Sequence, residues 1–269
     1  MHSLCMFIYC HSNANGGAIT FIGNSSIIED RFCDEGSANI VQASNKFAAA
    51  NHVYAYLDHT TNYTMNQGCI FNSKTNTLNV GSIAVWCGQK SVKFYNCSYC
   101  VSGCNSALYL RFSPNNPEIF YCNIISVSSA KGASCFVVDE SSQGNKYSVN
   151  NMVMINNTQN GNGGLIECYQ LNLYINDSVI LGKPGTSYMF YASGGKIIIS
   201  NSIVEVMTAS TPNGAFEIVN VSQNTPNDWK FNLLSPPYMR NTKMCTVHEQ
   251  QLYCAFSNFN FLFICFLLN

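Results

Sequence analysis

Between Gly164 and Val206 the apolar and polar positions fall into two passes of one pattern. The first pass runs Leu165-Ile166-Glu167-Cys168, a short polar break, then Leu171 to Ile180 with Tyr174-Ile175-Asn176-Asp177-Ser178 inside it. The second runs Met189-Phe190-Tyr191-Ala192, the break Ser193-Gly194-Gly195, then Ile197 to Val206 with Ile199-Ser200-Asn201-Ser202. Each pass holds two short, partly β-branched apolar segments, which fit strands and are too short for helices. A unit that returns at a steady period predicts a solenoid.

The repeat extends backwards and forwards from this centre. First-strand segments begin near Ala18, Val53, Ile83, Leu108, Cys135, Leu165, Met189 and Ala215, about 24 to 35 residues apart, inside the window of roughly 20–50 residues for solenoid repeats. Second segments follow at Ile27–Phe32, Val92–Asn96, Glu118–Asn123 and Met152–Asn156. The Val53 pass matches least, because Asn62-Tyr63-Thr64-Met65 is barely apolar. Phe7–Ser12 matches Ile119–Ile124, so the chain is expected to start in the middle of a rung, as a fragment would. The expected fold is all-β: a right-handed parallel β-helix of about 7–9 rungs over residues 1–224. An irregular tail over 225–269 follows it.

Glycine pairs at Gly16-Gly17, Gly163-Gly164 and Gly194-Gly195 fall in the breaks, where corner backbones are hard for other residues. Asn96, Asn123, Asn156, Asn176 and Asn201 fall near equivalent corners. Asn tolerates left-handed conformations, and stacked amides form ladders.

Composition narrows the classes. The chain is 47% hydrophobic, which supports a large core, and only 10% charged, against roughly 25% for an ordinary domain. Its 13 basic residues are scattered and the net charge is −1, so no basic stripe is available to a nucleic-acid backbone. The 14 cysteines follow no recurring frame, and Cys87, Cys122, Cys135 and Cys168 sit in apolar segments. They read as reduced core cysteines, with a set of bridges as the alternative. Cys97, Cys100 and Cys104 have a metal-loop look but no matched fourth ligand, so they read as strand and corner residues. No cofactor fingerprint is present.

The glycine-rich corner Gly16-Gly17-Ala18-Ile19 and second strands ending in Asn resemble right-handed parallel β-helix proteins of the pectate-lyase-like superfamily. They are most similar to polymorphic outer-membrane-protein repeats and to surface proteins of trichomonad-type protists, over roughly residues 7–222. That resemblance implies a non-catalytic extracellular or cell-surface protein, adhesin-like or structural, whose partners are surface glycans or proteins. Six N-glycosylation sequons, at Asn24, Asn62, Asn96, Asn156, Asn176 and Asn220, agree with a secretory route.

The alternative is a carbohydrate-binding or polysaccharide-cleaving β-helix, which for cleavage needs two carboxylates facing one cleft. Candidate pairs are Glu29/Asp30, Asp34/Glu35, Asp139/Glu140 and Glu167 with Glu217, the last two expected at one place in separate passes. Surface solvation is the expectation for all of them, and Arg111 is the single arginine inside a central strand. In the tail, Cys245 and Cys254 are a candidate disulfide. Phe259–Leu268, about half the ~20 residues needed to cross a bilayer, is either a cap or a shortened membrane anchor.

Overall fold

Val53, Ala55 and Leu57 are buried along one side of the strand Val53–Leu57, while Tyr56 between them is exposed. The same alternation recurs at Ile83–Trp86, Leu108–Arg111 and Phe136–Asp139, and it sets an inner and an outer face. In this computed structural model, residues 2–12, 16–39, 50–74, 81–103, 107–129, 135–140, 144–182 and 188–223 are described. They form a parallel β-solenoid of about six turns, where the repeat spacing predicts 7–9 rungs.

Each turn contributes to two long sheets. The first sheet stacks Ile19–Gly23, Val53–Leu57, Ile83–Trp86, Leu108–Arg111, Phe136–Asp139, Gly164–Tyr169 and Tyr188–Ser193, ending on the short Ala209–Ser210. The second runs from His2–Ile8 through Ile27–Glu35, Gln89–Ser98 and Glu118–Ile125 to Lys196–Val204 and Ala215–Ser222. A narrow third sheet joins Val101–Ser102, Ser128–Ser129 and Thr158–Gln159. All these pairings are parallel.

Side chains stack in columns along the axis. One inward column reads Phe7, Asp34, Ile70, Cys97, Ile124, Met154, Ile180, Val204. Another reads Glu29, Met65, Val92, Ile119, Val149, Ile175, Ile199. Both join the continuous core, and no rung could bury its inner face alone. Asp34 and Glu29 therefore occupy positions that are apolar or thiol-bearing in all the later turns of these columns.

Corners also stack. Tyr9, Gly36, Asn72, Tyr99, Ser126, Asn156 and Gly182 all have positive φ and occupy successive turns at the end of the second sheet. A further column, Arg31, Phe94, Tyr121, Asn151, Asp177, Asn201 and Asn220, bends that sheet midway with φ of 47–58°. Asn156 and Asn201 are thus left-handed as expected, whereas Asn96, Asn123 and Asn176 are not among the positive-φ residues. The amide ladder lies beside the bend: Asn176 Nδ2 donates to Asn150 Oδ1 at 3.0 Å and Ser200 Oγ to Asn176 Oδ1 at 2.6 Å. At Gly17 the need for glycine is steric, since a Cβ would stand 1.9 Å from the carbonyl oxygen of Asn51.

Three expected alignments shift. Phe7 pairs with Asp34 and so shares its column with Ile124 rather than Ile119. The left-handed residue inside the strand resets the alternation, so either offset turns Phe7 inward. For the same reason the strand expected from Met152 starts earlier, at Lys146–Asn150, before continuing as Val153–Ile155. Ala215–Ser222 pairs with Lys196–Val204 and belongs to the second sheet, not the first. The first-sheet strand of that turn is Ala209–Ser210, two residues before a proline, with no apolar run to mark it.

Candidate functional site

On the outer face of the first sheet, side chains make two parallel columns. The inner one reads Tyr54, Ala84, Tyr109, Val137, Glu167, Tyr191. The other reads Ile22, Tyr56, Trp86, Arg111, Asp139, Tyr169. Tyr54, Ala84, Tyr109 and Val137 are buried as a small cluster of their own, against which Trp86 and Tyr169 pack. Ile22 and Tyr56 stand 66% and 44% exposed.

The chemistry concentrates at the centre. The Tyr56 and Trp86 rings lie 6.2 Å apart and tilted by 30°. The Arg111 guanidinium sits 4.7 Å from the Trp86 ring centre and 4.3 Å from that of Phe112, inside cation–π range. Its Nε lies 2.8 Å from Asp139 Oδ2, with side chains 25% and 20% exposed. The Tyr109 hydroxyl donates to the same carboxylate oxygen at 3.4 Å. Burial raises the Asp139 carboxyl above its ordinary value, with Arg111 and the Tyr109 hydrogen bond pulling the other way. On the next turn the Tyr169 hydroxyl donates to Glu167 Oε2 at 2.8 Å, while Glu167 Oε1 accepts from the Gly164 amide at 3.0 Å.

The candidate carboxylate pairs resolve differently from one another. Glu29/Asp30 and Asp34/Glu35 split across a strand and Glu140 lies just past the strand that ends at Asp139, and one member of each pair is buried rather than solvated: Glu29, Asp34 and Glu140 are 0%, 0% and 4% exposed. Glu167 is 5% exposed, which again departs from surface solvation. They survive burial because each has partners. His52 Nδ1 bonds Asp34, His52 Nε2 lies 3.4 Å from Glu29, and the Tyr63 hydroxyl donates to Glu29. Glu140 accepts from the Ser113 amide at 2.6 Å and the Tyr147 hydroxyl at 2.5 Å. Glu167 and Glu217 do not share a place, because Glu217 lies on the second sheet and pairs with Lys196 at 2.5 Å.

Among the sequons, Asn24, Asn62, Asn156 and Asn220 are exposed and Asn176 is half-buried in the amide ladder. Asn96 is 2% exposed, so the folded rung leaves no room for a glycan there. Cys5, Cys10, Cys69, Cys87, Cys97, Cys100, Cys122, Cys135 and Cys168 are thiols rather than disulfides, seven of them buried, while Cys33 is disulfide-bonded. Cys97 and Cys100 lie in the core, and no metal-holding cluster occurs among the described residues. Cys104, Cys245, Cys254 and Phe259–Leu268 lie outside the described residues. Among the described residues no helix is long and apolar enough to cross a membrane.

A shallow cavity of about 480 Å³ opens at the corner formed by Gly194, Gly195, Gly214 and Lys196. Four of its nine lining residues are glycines and its one cation already serves Glu217, so it offers little chemistry. No family model, curated protein or solved structure matches the chain. Sequence reading singled out Arg111 but missed Tyr56, Trp86 and Phe112. The signal was present: outward positions of successive first-strand segments carry Tyr54 and Tyr56, then Trp86, then Tyr109 and Arg111.

Proposed function

We propose that this chain is a non-catalytic β-solenoid of cell-surface, adhesin-like type, and that the outer face of its first sheet is its recognition surface. The observation that carries this reading is the Tyr56, Trp86, Arg111, Asp139 column, partly exposed on a rigid parallel sheet. Rings and a guanidinium held in place by a sheet lose little freedom on binding, which favours recognition. The resemblance of the Gly16-Gly17-Ala18-Ile19 corner to polymorphic outer-membrane-protein and protist surface repeats supports a surface role, as do the four exposed sequons.

Cleavage of a polysaccharide is the weaker reading. The two carboxylates on this face, Asp139 and Glu167, are engaged by Arg111, Tyr109, Tyr169 and the Gly164 amide. A general acid and base pair needs carboxyl oxygens able to reach substrate and water.

The test is adhesion. Beads coated with the chain should adhere to cell surfaces, and beads coated with Tyr56→Ala should adhere less. The same preparation should release no new reducing ends or unsaturated products from polysaccharides. Adhesion unchanged by Tyr56→Ala, or steady product release, would overturn the reading.

A further inference from the structure

We propose that the outer column from Tyr56 to Tyr169 binds a neutral polysaccharide chain lying along the solenoid axis. This inference rests on the recognition surface proposed above and names its ligand class. The geometry supplies two aromatic platforms with a polar group between them. Tyr56 and Trp86 stand on consecutive turns. Tyr169 and Tyr191 form a second pair with ring centres 5.7 Å apart. In the shared column, Trp86 is followed by Arg111, Asp139 and Tyr169. Three rung steps at about 4.8 Å each separate Trp86 from Tyr169 by roughly 14 Å. That interval suits a chain of several sugars rather than a single ring.

The surface chemistry selects among polymers. A pyranose ring presents apolar C–H faces, which stack on aromatic rings, and hydroxyl edges, which need donors and acceptors. Arg111 brings a fork of N–H donors, of which Nε faces Asp139. Asp139 brings acceptor oxygens, and the tyrosines bring hydroxyls.

Charge then decides against acidic polymers. Arg111 and Asp139 cancel, and Glu167 adds a negative charge. A polyanion that drew Arg111 from Asp139 would leave a largely buried carboxylate without its cation, held by the Tyr109 hydroxyl alone, which is costly. A single-stranded nucleic acid also stacks on aromatic platforms but requires an electropositive groove, which the described residues of this face do not form. An extended peptide that adds to a sheet needs a strand edge, whereas these groups stand on a sheet face.

The experiment titrates the whole chain, carrying Trp229→Phe so that Trp86 is the remaining tryptophan, with soluble neutral glucans, mannans and xylans. Polygalacturonate and a sulfated glycan run in parallel. A neutral polysaccharide should shift Trp86 fluorescence and retard the chain in affinity electrophoresis, with little dependence on salt. Longer oligosaccharides should bind more tightly until both platforms are spanned. Trp86→Ala and Tyr56→Ala should each weaken binding about ten-fold or more, as truncation of a central aromatic anchor does. Tyr56 is 44% exposed, so its variant keeps the test valid even if Trp86→Ala fails to fold.

Binding confined to polyanions and abolished by salt would overturn the inference. So would neutral-glycan binding that survives Tyr56→Ala. If no saccharide binds while coated beads still adhere through Tyr56, the ligand class is wrong and the recognition surface stands. If adhesion is also lost on neither variant, both fall.

Discussion

His52 and Asp34 form an ion pair inside the solenoid, with the imidazole Nδ1 on Asp34 Oδ2 and both side chains fully buried. The ring of Phe32 stacks on the imidazole at 4.5 Å and Phe7 meets its edge at 5.2 Å. Burial alone would push the imidazole down, but Asp34 and Glu29 overcome it and hold His52 up at about 9. The folded state therefore binds the His52 proton more tightly than the unfolded chain does. The stability from this pairing is complete below about pH 6.5, the ordinary histidine value, and is lost as pH rises through about 9. A shift of that size corresponds to on the order of 3 kcal/mol. Urea unfolding from pH 6 to 10 should show this loss in the native chain and not in a His52→Leu background; parallel curves for the two would refute it.

Removing the histidine alone should be worse than replacing the whole network. His52→Ala leaves Asp34 and Glu29 buried without their cation, a change that costs about 3–5 kcal/mol. Substituting Glu29→Met, Asp34→Ile, His52→Leu and Tyr63→Phe together restores the apolar columns seen in later turns. Such replacements are often neutral or stabilising, so the fourfold variant should unfold at higher urea than His52→Ala. The reverse order would mean that the network is needed to set the register of the first turns.

Where the sequence was legible follows from this contrast. Seven of the eight first-strand starts lie at or within one residue of observed first-sheet strands, because inward columns such as Val53, Ile83 and Leu108 keep apolar residues on every turn. The second-sheet register was harder to read. Its mid-strand left-handed residue is Arg31 in one turn, Phe94 and Tyr121 in others, and Asn only later. No side-chain type marks that bend. The buried acids were misread for a related reason: Glu29 and Asp34 look like surface residues until His52, from another part of the turn, is brought between them. The outer aromatic column is likewise a product of stacking, since Tyr56, Trp86 and Arg111 become neighbours only across turns.

The bend itself can be tested at Tyr121. Its φ is 55°, a region costly for most L-residues, yet its ring stacks on Phe94 at 5.1 Å and 9°. Tyr121→Asn relieves the backbone and loses the stack, worth about 0.5–1.5 kcal/mol beyond area, so the two effects nearly offset. Tyr121→Val loses the stack and adds a β-branched side chain where φ is positive. It should be less stable than the Asn variant by about 1–2 kcal/mol. Chemical denaturation of both variants decides this; equal stabilities would mean that the left-handed bend is not populated at Tyr121.

Lys90 gives a pH effect of opposite sign. It stands at an inward position beside Tyr63, is 5% exposed, and donates its ammonium to the Gly88 carbonyl at 3.0 Å. Burial drives it down to about 7, although Glu140 and Cys87 favour the charged form. The unfolded chain therefore binds the Lys90 proton more tightly, and between about pH 7 and 10.5 stability from this site rises with pH. Lys90→Met removes the penalty of burying an ammonium, while Glu140 keeps its bonds from Ser113 and Tyr147. The variant's advantage over the native chain should be largest near pH 7 and should shrink steadily toward pH 10.5. Because His52 acts alike in both proteins, the difference between their unfolding curves isolates Lys90. A difference that stays flat across that window would show that Lys90 is not buried in the folded solenoid.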